Sequence, residues 1–63
     1  QSDFAHYLNI ALGSANESEY FLMLAKDLKY LELPAFEILS STINEIKAML
    51  ISLITKVRGK TNN

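Results

Sequence analysis

The sequence predicts an all-α fold, an antiparallel two-helix hairpin that forms part of a four-helix-bundle-type assembly. Three observations lead there. Apolar residues recur at alternating three- and four-residue steps through both halves of the 63-residue chain. A single proline, Pro34, punctuates that rhythm near the middle, and only two glycines occur elsewhere. Hydrophobic residues make up 49% of the chain, which excludes a disordered segment and exceeds what one hairpin can shield from water.

The first helix is expected over about residues 3–31. Ser2 or Asp3 can cap its free amides with a side-chain oxygen. Phe4, Leu8, Ala11, Ala15, Leu22 and Ala25 form one stripe, interrupted only by Ser18, and Tyr7, Ile10, Phe21, Leu24, Leu28 and Leu31 form a second beside it. Pro34 lacks an amide hydrogen and disfavours a helical Leu33, so the helix should stop near Leu31 and a turn at Glu32 and Leu33 should follow. Connections this short usually join antiparallel neighbours.

The second helix is expected over about 34–58, with Pro34 in its first turn. Phe36, Leu39, Ile43, Ile46, Leu50, Leu53 and Val57 follow steps of 3, 4, 3, 4, 3 and 4, an unbroken heptad seam. Lys56, Arg58 and Lys60 complement the negative pole of the helix end, Gly59 suits a left-handed cap, and Thr61 to Asn63 should fray. Ile38, Met49, Ile51 and Ile54 on the second helix, and Leu12 on the first, fall outside the main stripes and call for cover from further helices. Burial of each such side chain is worth about 1.5–3 kcal/mol.

Composition narrows the function. With no cysteine and one histidine, His6, the chain offers no disulfide, no zinc site and no cofactor cradle. A formal charge of −1 gives no general attraction to phosphate backbones, so nucleic acid is not favoured as a partner. The longest apolar-rich run, Ala48 to Ile54, is far shorter than the ~20 residues of a membrane span, which points to a soluble, cytoplasmic protein with no membrane partner. A start at Gln1, already inside a helical pattern, suggests a processed chain or a fragment of a larger bundle protein.

Gly13 sits in a helix interior, where glycine costs about 1 kcal/mol relative to alanine. Small residues at 11, 13, 14 and 15 would let a second helix approach closely, near Ala48 and Ser52 or on another chain. The segment Leu8-Asn9-Ile10-Ala11-Leu12-Gly13-Ser14-Ala15-Asn16-Glu17-Ser18-Glu19, together with Leu24-Ala25-Lys26-Asp27-Leu28-Lys29-Tyr30-Leu31, resembles the four-helix-bundle family of proteins encoded in intervening sequences of bacterial 23S rRNA genes. The similarity covers almost the whole chain but only the C-terminal half of a typical member. Ser18 stands where the family carries an apolar residue, and Lys29 where it often carries glycine.

That resemblance implies an antiparallel bundle, self-association as a homo-oligomer, commonly a pentamer, and a molecular function that is largely undefined. The expected role is therefore an oligomeric helical scaffold or interaction protein. The alternative is a nucleic-acid-binding accessory protein like the basic bundles that serve retroelement reverse transcriptases, and the acidic balance of this chain argues against it.

No enzyme chemistry is expected. Glu17 and Glu19 lie two apart and diverge on a helix, so they cannot share a substrate atom. Glu17 is instead expected to make a polar register contact across the hairpin with Lys47 or Asn44. His6 reads as a surface or interface histidine, and Tyr7, Tyr20 and Tyr30 as helix-packing aromatics. The interface residues expected are Phe4, Leu8, Ala11, Gly13, Ala15, Phe21, Leu22, Leu28, Phe36, Leu39, Ile43, Ile46, Leu50, Leu53 and Val57.

Overall fold

The computed structural model describes residues 2–62, with side chains described over 3–59. Two helices, α1 (Ser2–Asp27) and α2 (Leu33–Asn62), pack against each other with no strand among the described residues. Their partners run in opposite senses: Lys26 meets Phe36 near the turn and Glu19 meets Lys47 farther along, which makes the hairpin antiparallel. The Cα extents are 48 × 15 × 10 Å, those of a two-helix rod.

The first helix ends four residues earlier than its apolar spacing suggests. The amide of Tyr30 donates to the carbonyl of Ala25 and that of Lys29 to Lys26, at 2.9 and 3.0 Å, while Lys29 takes φ 67°. This pairing closes the last turn of α1 and reverses the chain over residues 28–32. A left-handed lysine is strained by about 1–2 kcal/mol, because its Cβ crowds the following carbonyl. The Leu28 amide still donates to the Leu24 carbonyl at 2.9 Å, as in a helix, but at Leu31 the backbone has already left it.

The second helix starts at Leu33, one residue before Pro34, and its first ladder bond runs from the Phe36 amide to the Glu32 carbonyl at 2.9 Å. Pro34 therefore lacks an N–H that would have had no partner within the helix in any case. At the other end α2 runs through Asn62, and Gly59 has no positive φ. The expected stop at 58 with a left-handed Gly59 is thus corrected: with no residue reversing the backbone there, the ladder continues through it. Thr61 and Asn62 belong to the helix; Asn63 lies outside the described residues. At the start of α1, Asp3 lies inside the first turn rather than before it, where its carboxylate faces the positive pole; Ser2 opens the helix, and its side chain lies outside those described.

The interior of the hairpin is small. Leu8, Ile54 and Val57 are buried at 7–8% exposure, and Ala5, Leu12 and Leu50 pack partly buried around them. Ile54 and Leu12, expected to await another chain, are covered by the hairpin itself. The shielded positions explain why. They are Ala5, Leu8, Leu12, Ala15, Glu19, Leu22 and Lys26 on α1, with Ala11 and Ala25 half-buried beside them, and Phe36, Ser40, Ile43, Lys47, Leu50, Ile54 and Val57 on α2. Both series alternate three- and four-residue steps, yet each is rotated one flank away from the purely apolar seam that the sequence suggests.

Candidate functional site

Rotation of the seam leaves an apolar face. Leu39, Ile46 and Leu53, members of the perfect heptad, remain 44%, 44% and 40% exposed. Each lies three residues after an interior position, and on α1 the same step from Leu8, Ala15 and Leu22 reaches Ala11, Ser18 and Ala25. At about 100° per residue this step swings a side chain to one flank of its helix. Antiparallel packing reverses both the chain direction and the position of the partner, so the two flanks lie on the same broad side of the hairpin.

Positions one residue before the interior ones add Tyr7 and Phe21 on α1 and Met49 on α2, all exposed, to that side. Thr42 joins them with its hydroxyl donating to the Ile38 carbonyl at 3.1 Å, which satisfies the polar group inside its own helix. The opposite side, one residue after the interior positions, carries Asn9, Asn16, Glu37, Asn44 and Arg58 beside Met23 and Ile51. The hairpin is consequently two-faced, with the apolar side free of charge along its middle.

Several expected contacts fall elsewhere. Lys47 reaches Glu19 at 2.8 Å, with side chains 24% and 31% exposed, while Glu17 points to solvent. The register contact therefore belongs to Glu19. The reason is angular: Glu19 sits three and four residues from Leu22 and Ala15 on the seam, whereas Glu17 sits across the helix from it. Gly13 is exposed, and a Cβ built on it meets nothing within 4 Å, so no helix of this chain approaches there. Ala48 and Ser52 are exposed as well.

Of the other expected interface residues, Leu8, Ala11, Ala15, Leu22, Phe36, Ile43, Leu50 and Val57 are buried or half-buried between the helices. Phe4, Phe21, Leu28, Leu39, Ile46 and Leu53 are exposed. The tyrosines, expected to pack between helices, are exposed too: Tyr30 lies past the end of α1, and Tyr7 and Tyr20 point away from α2. His6 is exposed with its ring 5.9 Å from that of Tyr7. Lys26, shielded on the seam, lies 4.5 Å above the centre of the Phe36 ring, a cation–π contact that sequence spacing within one helix could not reveal.

No group of three or more His, Cys, Asp or Glu side chains that could hold a metal occurs among the described residues. Open surface depressions follow α2, one lined by Phe36, Glu37, Ser40, Ser41, Asn44, Glu45 and Ala48. Lys56 and Arg58, two apart, diverge on the helix surface.

A match to a protein family accompanies this geometry. The family model described as 23S rRNA-intervening sequence protein matches residues 1–52. The chain belongs to that family. Comparison with curated proteins and with solved structures returns no match. Within this intervening-sequence protein, the matched span takes in all of α1, the turn and two-thirds of α2, so both flanks of the apolar face lie almost wholly inside it.

Length alone would let α2 do something else. The 27 residues from Leu33 to Gly59 are long and apolar enough to cross a membrane by length and composition, which corrects the expectation that no stretch approaches that size. A dense apolar run is short here, whereas a span tolerates scattered polar residues over a longer stretch. Glu45 and Lys47 stand near the middle of this stretch, and a charge at a bilayer centre costs about 2.5–3.5 kcal/mol even on the mildest scales.

Proposed function

We propose that this intervening-sequence protein is a non-catalytic association module, a helical scaffold that works by packing its apolar side against further helices. The observation that carries the reading is the exposure of Leu39, Ile46 and Leu53 on a flank free of charge along its middle, beside an interior of three buried side chains among the described residues. A chain of this size buries little surface on its own, and domains this short commonly complete their cores by oligomerisation. Homo-oligomerisation, the pentamer that family resemblance suggests included, is the form of association expected. The same packing holds α2 in a helical bundle in the cytoplasm, with Lys47 engaged by Glu19 rather than stranded in lipid.

Light scattering on the native protein, with and without Ile46→Asp, tests the reading. The unsubstituted chain should have a mass of several chains. The aspartate, placed on the exposed flank rather than on the interior seam, should lower that mass. A helical single-chain species at micromolar concentration, unchanged by the substitution, would remove the proposal.

A further inference from the structure

We draw no further inference here: the strongest candidate, the apolar side of the hairpin where Leu39, Ile46, Met49 and Leu53 of α2 lie exposed beside Tyr7 and Phe21 of α1, belongs to the association surface already described, and nothing in the structure shows what covers it.

Discussion

The two ends of the hairpin are held together by different physics. Far from the turn, Leu8, Ile54 and Val57 form a dry apolar contact supported by Ala5, Leu12 and Leu50. Nearer the turn the shielded seam mixes Leu22, Phe36 and Ile43 with Glu19, Lys26, Ser40 and Lys47, Glu19 pairing with Lys47 and Lys26 lying over the Phe36 ring. Covalent connection through residues 28–32 already keeps the helices close at that end, so weak polar contacts suffice there. At the open end burial of these side chains opposes fraying, and they are found where the chain's own connectivity helps least.

Substitutions can break that contrast. Leu8→Ala or Ile54→Ala should destabilise the fold by about 2–5 kcal/mol, as for other buried aliphatic truncations, read from urea unfolding followed by helicity. Ile43→Ala, half-buried in the turn half, should cost visibly less. An equal loss would mean that the two ends are not distinct.

Backbone substitutions sharpen it in the opposite direction. Lys29→Gly should stabilise by about 1 kcal/mol, because glycine adopts the left-handed turn without strain. Gly13→Ala should also stabilise by about 1 kcal/mol, since the added methyl enters open space on the polar side. Destabilisation by Gly13→Ala would reveal a helix pressed against α1 from that side.

Smallest of all should be the ion pair. A double-mutant cycle on Glu19→Gln and Lys47→Met should return a coupling of about 0–1 kcal/mol, as expected for a pair still partly open to water. Glu17→Gln, on an exposed position without that contact, should stay within ~0.5 kcal/mol of the unsubstituted chain.

Much of this architecture is legible from the residues alone. Heptad spacing on α2 and the proline at 34 specify two helices and a reversal between them, and the surplus of apolar side chains indicates an uncovered face. Rotation of the seam is harder to read. The sequence offers two overlapping stripes, 36/39/43/46/50/53/57 and 36/40/43/47/50/54/57, and the first is wholly apolar. The hairpin buries the second, because Lys47 on it finds Glu19 and Ile54 finds Leu8 and Val57.

Hydropathy ranks single positions, whereas the choice of stripe depends on pairs across helices, so Glu17 was a natural candidate and Glu19 the actual partner. The end of α1 was hidden for a related reason. Lysine carries no turn signal, and the glycine that would have announced the left-handed position is not there.

The Glu19–Lys47 bridge between the middles of the two helices also governs how the chain can be threaded wrongly. A seam that repeats every seven residues is nearly indifferent to sliding by seven. Sliding one way would set Lys47 beside Lys26 and Glu19 beside Ile54; sliding the other would set Lys47 on Leu12 and Glu19 on Ser40. Each misalignment strands a charge or crowds two of like sign. One oppositely charged tooth on each helix thus works as a key, and helices that pair out of step have no comfortable place to rest.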